Sequence, residues 1–538
     1  VTTRKNVLLD DVLITDLYTS ALQLEGADGT VLRDIRIIDD DYLGRVSRTF
    51  TTDTFNGYLS YMEYLPGIMI ITDRSPTVEG VEFSLNGTLY YDVIFNQNTA
   101  MGALTMDLEW PLIDVDVSDA IDLEGVTVRD STLGLNVTVT HGRTPSSTGA
   151  HLTHRMSVIV LHNYRDASVS DLTVTRLRHD ELALNVSVSG ATVTTSKMDQ
   201  GSRAVYAYID ETFNTAGPHS FDLELRDIYM RGGTVLNHRL EPGYTGSSSP
   251  TFKSKVVVDN VTSWQGYLPF TFFLEPKFQM FKTFDLDILF VDCTFRGILS
   301  NVVEFDYRTG PVIPRTRSIT VNERTVFQSC LFTQCNSDDQ GIVRALTSVG
   351  RLNVSNSTIM FTKCNITRNL GTLFYIQGTF NPAQDRFVLD DNLITENGCW
   401  RSQQLMVIDS RTVVEFTENT KADNDCSWGI FIENLGGYTD EGKKIKDPCS
   451  FLIDNNTFLR NWAVPEHGPQ RGFFEITWGG DLVLRGNDIN ETGSMFANLT
   501  EYVTYSLDCT FKFIDNQVHK NRDIVLFFTE NGDDHLNL

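Results

Sequence analysis

The second half of the chain repeats a short pattern of apolar and polar positions. The pattern is a run of alternating apolar residues, then a polar anchor, then another apolar residue two places on. Successive anchors lie 27 to 37 residues apart, at Asn260, Cys293, Cys330, Cys364, Asn392, Asn419, Asn456, Asn487 and Asn516. A second polar position recurs five residues after the anchor, at Cys335, Asn369, Asn397, Asn424, Asn461, Thr492 and Asn521. Repeats of this length predict a solenoid, in which each coil buries its apolar residues only against its neighbours.

The anchors predict sharp corners between short strands. Asn tolerates the left-handed backbone conformation that such a corner needs, so we expect the Asn anchors to adopt it. When Asn recurs at one corner of successive coils, its side-chain amides can hydrogen-bond from coil to coil. We therefore predict a ladder of stacked amides formed by Asn392, Asn419, Asn456, Asn487 and Asn516. Strands of neighbouring coils then pair in parallel, about 4.8 Å apart.

The first half of the chain carries a related but less regular pattern. Asp stands where the second half has Asn, and apolar residues follow one and three positions later. The positions are Asp11, Asp34, Asp171 and Asp227, with Gly125 in the same role. Over the whole chain, coils of this size predict roughly 15 to 18 turns.

One region of the first half does not fit this register. The interval from Asp34 to Gly125 is too long for one coil, and residues 55–91 are rich in aromatic side chains. Two interpretations of this aromatic-rich stretch stay open, a large lateral loop and an inserted subdomain, and the pattern assigns no fold to residues 40–120. A Gly- and Ser-rich segment at 232–250 indicates a loop and a boundary. We therefore expect an irregular half, 1–250, and a regular, disulfide-bearing half, 251–538, within one continuous solenoid.

The anchors and their partners five residues on resemble those of the right-handed parallel β-helix, the fold of pectin-lyase-like proteins and of many non-catalytic surface proteins. The resemblance implies an all-β, right-handed parallel β-helix solenoid with long lateral loops. It says little about function, because this fold carries lyases, glycosidases, tailspikes, adhesins and passive shafts.

The net charge and the N-glycosylation sequons of the chain indicate in which compartment the protein works. A net charge of −26 disfavours nucleic acid and anionic membranes as partners, because both attract cationic surfaces. No apolar run approaches the length of a membrane span. The chain carries ten Asn-x-Ser/Thr sequons, at Asn86, Asn136, Asn185, Asn260, Asn353, Asn356, Asn365, Asn455, Asn490 and Asn498. With an even number of cysteines, they favour an extracellular or cell-surface glycoprotein, although a Thr-rich β protein also forms sequons by chance.

The eight cysteines test the register. Cys399 and Cys426 each lie seven residues after an anchor, which predicts a disulfide between adjacent coils. Cys293, Cys330 and Cys364 are themselves anchors, and with Cys335 they allow three pairings. Of these we favour Cys293–Cys330 with Cys335–Cys364. By elimination, Cys449 pairs with Cys509. The competing interpretation is a buried stack of free thiols, and zinc is disfavoured because no Cys-x-x-Cys pair occurs.

The chain lacks a recognisable catalytic, cofactor or metal signature. Polygalacturonase-like hydrolases of this fold combine an Asp-Asp pair with Gly-His-Gly and Arg-Ile-Lys, and neither of those two triplets occurs here. Acidic side chains at 114–119 and histidines at 141, 151, 154 and 162 are weak metal candidates. Five tryptophans near corners could stack on sugars or pack loops against the coils, namely Trp264, Trp400, Trp428, Trp462 and Trp478.

We therefore expect a non-enzymatic, secreted, N-glycosylated structural protein, a protomer of an extracellular filament, appendage or surface coat. Open coil ends would support head-to-tail self-association or contacts with other surface glycoproteins. The alternatives are a glycan-binding adhesin and a diverged polysaccharide lyase or glycosidase.

Overall fold

The computed structural model describes most of the chain. It covers residues 7–15, 21–26, 29–50, 54–61, 68–72, 75–95, 100–117, 120–129, 131–141, 149–175, 178–179, 183–188, 194–195, 200–209, 212–213, 219–245, 250–266, 268–275, 281, 283–307, 319–337, 341–347, 352–354, 357–377, 386–398, 404–409, 413–426, 428–433, 451–463, 474–478, 481–491, 497–501, 510–520 and 526–530. Within these ranges all regular structure is β-strand, and the paired strands run parallel. The predicted all-β parallel β-helix solenoid is confirmed.

Because the described ranges contain no helix, none of them offers a helix able to cross a membrane.

The chain divides into two compact units. One comprises Val1–Ile209 with Arg226–His238, and the other comprises Asp210–Leu225 with Arg239–Leu538. We call them unit 1 and unit 2. The strands His219–Arg226 and Thr234–Leu240 contribute residues to both. A division into halves at residue 250 stays a prediction.

Unit 2 repeats one coil of three strands. The first-strand column is Thr251–Asp259, Thr283–Val291, Ile319–Gln328, Thr358–Thr362 (preceded by Leu352–Val354), Arg386–Asp390, Val413–Thr417, Phe451–Asp454, Asp481–Arg485 and Thr510–Ile514. The second is Thr262–Trp264, Thr294–Arg296, Leu331–Thr333, Asn365–Thr367, Leu393–Thr395, Thr420–Ala422, Thr457–Leu459, Asp488–Asn490 and Gln517–His519. The third is Phe270–Leu274, Val303–Tyr307, Val343–Thr347, Phe374–Gln377, Gln404–Asp409, Trp428–Glu433, Phe474–Trp478, Ala497–Glu501 and Leu526–Glu530. Two small parallel pairs accompany them, Thr212–Phe213 with Gly243–Tyr244 and Asp425–Cys426 with Trp462–Ala463.

The alternation of apolar and polar residues explains these strands. In Thr283–Val291 every second side chain is buried and those between are half-buried. Since side chains of a strand alternate between its faces, one face fills the coil interior. Equivalent residues then meet vertically: the rings of Phe290 and Phe327 stack 4.5 Å apart, and those of Phe327 and Phe361 4.4 Å apart. Stacked Phe columns form the core of unit 2.

Each coil turns at a first corner, where one residue has a left-handed backbone. This corner lies between two strands except at Asp11, Asp34 and Gly80, where it falls within one continuous strand. In unit 1 the first-corner residues are Asp11, Asp34, Gly80, Gly125, Asp171 and Asp227. In unit 2 they are Asn260, Asp292, Ser329, Lys363, Asp391, Glu418, Asn455, Gly486 and Asp515. The described residues thus supply fifteen first corners, within the predicted range of coils.

The predicted position of the left-handed residue is wrong by one residue. In unit 2 the left-handed residue directly precedes the anchor, for example Asp391 before Asn392, and the anchor side chain points inward. Asn260 is the exception, because it aligns with Asp292 and is itself left-handed. The Asp residues of the first half correspond to this preceding position. Because the left-handed residue of a corner is exposed to solvent, the buried amide belongs to the residue that follows it.

The coils of unit 1 are wider, and strands extend them sideways. Residues 42–50 of Val31–Phe50 pair with residues 87–95 of Thr77–Phe95, which in turn pair with Thr132–His141. On the return path Thr54–Tyr61 pairs with Ala100–Val117, which pairs with Gly149–His162. The described residues between 40 and 120 are therefore parallel coils with a stacked lateral extension, and the register shifts between Asp39 and Tyr42 and between Phe55 and Gly57.

The remaining strands of unit 1 complete these coils. They are Leu8–Ile14, Leu22–Glu25, Ile68–Thr72, Ala120–Glu124, Thr127–Arg129, Asp166–Ser170, Thr173–Thr175, Arg178–His179, Ala183–Val188, Thr194–Thr195, Gln200–Ile209 and Tyr229–Arg231.

A glycine marks the coil that the sequence pattern did not reveal. Gly80 has φ +67° and stacks over Asp34, whose Oδ1 lies 2.8 Å from where a Cβ would stand. A side chain at position 80 would collide with that carboxylate, and glycine alone adopts this backbone freely. Gly80 therefore divides the long interval between Asp34 and Gly125 into two coils.

Candidate functional site: the hydrogen-bonded corners of unit 2

The first corner of unit 2 carries a ladder of buried amides. Asn392 Nδ2 donates to Asn419 Oδ1 at 2.9 Å, and the same oxygen accepts the backbone N–H of Asn392 at 3.1 Å. The pattern continues through Asn456 and Asn487 to Asn516. We call these five residues the first Asn ladder, and they are the five that the sequence predicted. The amide oxygens of Asn419, Asn456, Asn487 and Asn516 thus each join two donors of the preceding coil.

The second hydrogen of each amide is also used. Asn419 Nδ2 donates to the carbonyl oxygen of Leu389 at 2.7 Å, and Asn456 Nδ2 donates to that of Phe416 at 2.8 Å. These carbonyls belong to one column of first strands, in the coil before the donor. Because both the amide and the carbonyl are paired, a polar side chain lies in the interior without an unsatisfied group.

The second corner repeats the arrangement. Asn369, Asn397, Asn424 and Asn461 form the second Asn ladder, with Nδ2–Oδ1 distances of 3.0, 3.0 and 2.8 Å. All four are fully buried. Thr492 and Asn521, predicted at the same position, lie outside the described residues. Two parallel ladders therefore bracket the short second strands.

Three cysteines replace Asn in the earlier coils of the same first corner. Their thiols donate to the carbonyl column that the amides use: Cys293 to Val258, Cys330 to Phe290 and Cys364 to Phe327, at 3.4, 3.7 and 3.3 Å. We call them the thiol column. At its end the backbone N–H of Cys364 donates to Asn392 Oδ1 at 2.9 Å. The thiol column and the first Asn ladder are one continuous stack.

The predicted pairings Cys293–Cys330 and Cys335–Cys364 are wrong, because all four cysteines are buried free thiols. Cys335 lies at the second corner, where its backbone N–H donates to Asn369 Oδ1, so it is not level with Cys364. Cys293 and Cys330 do stack in adjacent coils. Each thiol, however, is the donor to a buried carbonyl, and a disulfide would leave that carbonyl unpaired.

The surroundings of these thiols make them poor nucleophiles. Burial raises the pKa of Cys335 to about 12. The neighbouring sulfur of Cys330, together with burial, raises the pKa of Cys364 far above its ordinary value. The pKa of Cys330 is likewise raised, chiefly by the neighbouring sulfur of Cys293. Since the thiolate is the reactive form, thiols of this kind are inert in the folded protein.

The other predicted disulfides stay untested. Cys399, Cys449 and Cys509 lie outside the described residues. Of Cys426 only the backbone is described, in the pair Asp425–Cys426 with Trp462–Ala463. The pairs Cys399–Cys426 and Cys449–Cys509 remain predictions.

One acidic and one histidine candidate for metal binding in unit 1, Asp114 and His162, lie close together. Nε2 of His162 lies 3.2 Å from Oδ1 of Asp114, and both side chains are about nine-tenths buried. The Tyr208 ring stands edge-on to His162 with centroids 6.4 Å apart. Among the described residues, no three His, Cys, Asp or Glu side chains form a group able to hold a metal ion. The side chains of His141, His151 and His154 lie outside the described part.

Sequence reasoning missed a second buried histidine in unit 1. Nε2 of His238 lies 2.9 Å from the Tyr164 hydroxyl, and both side chains are buried. Burial lowers the pKa of His238 to about 3, so this imidazole is neutral at physiological pH. Nothing in the surrounding sequence pattern distinguishes it.

Sequence reasoning also missed a buried lysine in unit 2. Lys421 occupies the inward position two residues after the anchor Asn419, where the neighbouring coils carry Ile394 and Phe458. Comparing each anchor-plus-two position along the repeat would have found it.

The sequons differ in accessibility. Asn260, Asn365 and Asn455 are exposed at or just past the first corner of unit 2. Asn86 is half-buried, and the amide oxygen of Asn490 is buried. The side chains of Asn136, Asn185, Asn353, Asn356 and Asn498 are outside the described residues.

Of the five tryptophans, the structure describes the side chain of one. Trp264 is half-buried, with the Arg296 guanidinium carbon 6.0 Å from its ring centroid. Trp428, Trp462 and Trp478 contribute described backbone only, and Trp400 lies outside the described residues. A sugar-stacking row stays a prediction.

The sequence matches no protein-family model, and no curated protein or solved structure is significantly similar to it.

Replacing an interior amide of the ladder should cost far more than replacing the end one. Asn419→Ala leaves the N–H and Nδ2 of Asn392 without their shared acceptor in a buried site, which predicts a loss of about 2–4 kcal/mol in the free energy of unfolding. The matched variant Asn516→Ala removes a half-buried amide, where water replaces the lost bonds, and should cost less than about 1 kcal/mol. Denaturant midpoints measure both. Equal losses would contradict the role of the buried ladder.

The thiols should react only after unfolding. We expect iodoacetamide to leave Cys293, Cys330, Cys335 and Cys364 unmodified in the native protein and to alkylate all four in denaturant without any reductant. Peptide mass spectrometry measures both states, and a reductant-treated sample is the control. A peptide that joins Cys293 to Cys330 would overturn the assignment of free thiols.

Proposed function

We propose that the chain is a secreted, N-glycosylated structural protein, the protomer of an extracellular filament, appendage or surface coat. The observation that carries the proposal is the continuous stack of hydrogen-bonded side chains at the first corner of unit 2. In these coils the recurring polar residues join one coil to the next. Such a stack stabilises a long repetitive scaffold, because each added coil repeats the same contacts.

An exposed apolar residue on one strand of unit 2 supports the proposal of self-association. In the last described second strand of unit 2, Val518 is 36 % exposed, whereas Ile489 at the equivalent position one coil earlier is fully buried. Within the described residues, Gln517–His519 pairs with one strand only, Asp488–Asn490. A strand edge that is unpaired within the described residues offers a site for a strand of another copy of the chain.

Unit 1 has an edge of the same character. Leu8 and Leu13 are large exposed apolar residues on Leu8–Ile14, which pairs with Val31–Phe50 alone among the described strands. Contacts between two different edges are heterologous and propagate into fibres unless the rotation closes them. Head-to-tail contact between copies of the chain is the partner arrangement that we propose.

The exposed sequons support the extracellular part of the proposal. Asn260, Asn365 and Asn455 belong to the first, fourth and seventh coils of unit 2, so they recur every three coils. At about 4.8 Å per coil, neighbouring glycans would stand roughly 14 Å apart along one side of the unit. Glycans at the first corner would leave the strand edges free for assembly.

A charge on the strand Gln517–His519 should prevent assembly. We expect the protein to form assemblies that grow as salt rises, because salt screens the repulsion between chains of net charge −26. Val518→Lys should remove them, while the matched variant Leu299→Lys, at a residue 67 % exposed away from that strand, should retain them. Sedimentation velocity and negative-stain microscopy measure the outcome. A strictly monomeric protein at high concentration and high salt would count against the proposal.

Glycosylation should follow exposure. In a eukaryotic secretory host we expect glycans on Asn260, Asn365 and Asn455, and none on Asn490, whose amide oxygen is buried. Glycopeptide mass spectrometry measures the occupancy of each site, with single Asn→Gln variants as controls. If secreted protein carried no glycan at the three exposed sequons, the glycoprotein part of the proposal would be wrong.

A further inference from the structure

One charged residue lies in a column of apolar side chains inside unit 2. The inward positions of the second strands align Phe295, Phe332, Ile366, Ile394, Lys421, Phe458 and Ile489 in successive coils. Every one of these residues is buried, and Lys421 is 0 % exposed. Lys421 is thus a charged residue in a column whose other members are all apolar.

Among the described residues, the ammonium group of Lys421 has no polar partner. Its Nζ is buried without a hydrogen bond, and it lies 4.0 Å from the ring centroid of Phe416, 5.3 Å from that of Phe458 and 5.6 Å from that of Phe474. Aromatic faces attract a cation, but they do not replace the hydrogen bonds that an ammonium group makes with water. The site therefore favours the neutral amine.

The charged side chains described on the neighbouring first and second strands do not compensate it. On the described first strands Arg386 pairs with Glu415 and Arg485 pairs with Asp454, and at the second corner Arg460 pairs with Asp423. The three arginines and Asp423 are exposed, and Glu415 is half-buried. Asp454 is largely buried, and its partner is Arg485. Each of these carboxylates is bound to an arginine instead of to Nζ.

The backbone around Lys421 is held by bonds that open together. Its carbonyl accepts from Asn461 Nδ2 of the second Asn ladder at 2.7 Å, and the N–H of Thr420 donates to the Asn392 carbonyl at 2.9 Å. Exposing the amine to water requires Thr420–Ala422 to separate from a neighbouring coil. Proton uptake and coil separation are therefore coupled.

We propose that Lys421 makes Thr420–Ala422 a pH-sensitive opening point of the solenoid, at which uptake of a proton by the exposed ε-amine favours separation of this coil from its neighbours. The inference is independent of the proposed extracellular role. It assigns to one side chain a local instability that the neighbouring coils lack.

The direction of the effect follows from proton binding. Burial lowers the pKa of Lys421 from 10.5 to about 7, whereas the opened coil restores the ordinary value. Between these two values the open state binds more protons than the closed state, so the closed coil is most stable above the upper value and loses stability as pH falls to about 7. Below the lower value both states are protonated, and no further loss occurs.

Amide hydrogen exchange of the full-length protein tests the proposal. After correction for intrinsic exchange rates, we expect protection of a peptide spanning Thr420–Ala422 to rise roughly tenfold or more from pH 7.0 to pH 8.5. Protection of Asn365–Thr367, two coils away, should not show this rise. In Lys421→Met the pH dependence at Thr420–Ala422 should disappear and protection at pH 7.0 should increase. The control Lys255→Met, at an exposed lysine of Thr251–Asp259, should behave like the unmodified protein.

A second measurement tests the same claim without a variant. With lysines labelled by ¹³C at Cε, one signal should titrate with a midpoint near pH 7. Retention of the pH dependence in Lys421→Met, or the absence of any lysine signal that titrates below pH 9, would overturn the proposal.

Discussion

The structure of unit 2 depends on one constraint, that a polar side chain turned into the interior must find all its partners in adjacent coils. Asn satisfies the constraint because its amide offers two donors and one acceptor oxygen with two lone pairs. In the first Asn ladder the oxygen serves two donors of the preceding coil, and the two hydrogens reach a carbonyl and the next amide. A shift of one strand by one residue would break all of these bonds, so the ladders fix the register of every coil that they join.

The same constraint explains the thiol column and the strain at the corners. Cys293, Cys330 and Cys364 keep the bond to the carbonyl column but give up the side-chain bond from amide to amide. Left-handed backbone at residues such as Lys363 and Glu418 costs about 1–2 kcal/mol each. The ladder bonds beside these residues offset that cost. Lys421 is the opposite case, a polar group between two satisfied ladders that has no hydrogen-bond partner among the described residues.

The sequence predicted the repeat, the parallel stacking and the first Asn ladder, because each depends on residue type and spacing alone. It misplaced the left-handed residue by one position, since Asn suits both an exposed corner and a buried amide. It did not reveal the coil at Gly80, because the strands of unit 1 extend beyond the regular coil and hide its period. The pairing of Cys335 with Cys364 failed because it joined two different corners. Lys421 departs from the apolar residues two places after the other anchors, so a comparison of those positions would have found it, whereas no sequence pattern distinguishes His238.

The central claim is that equivalent corners of unit 2 lie directly above one another, and a distance between two of them tests it most directly. Spin labels attached through a noncanonical amino acid at the exposed first-corner residues Asp292 and Asp515 span seven coil steps. Stacking at about 4.8 Å per coil predicts a single narrow distance distribution near 34 Å, before the length of the labels is added. A broad distribution, or a mean separation well beyond that value, would contradict the stacked register from which the ladders, the thiol column and the buried lysine all follow.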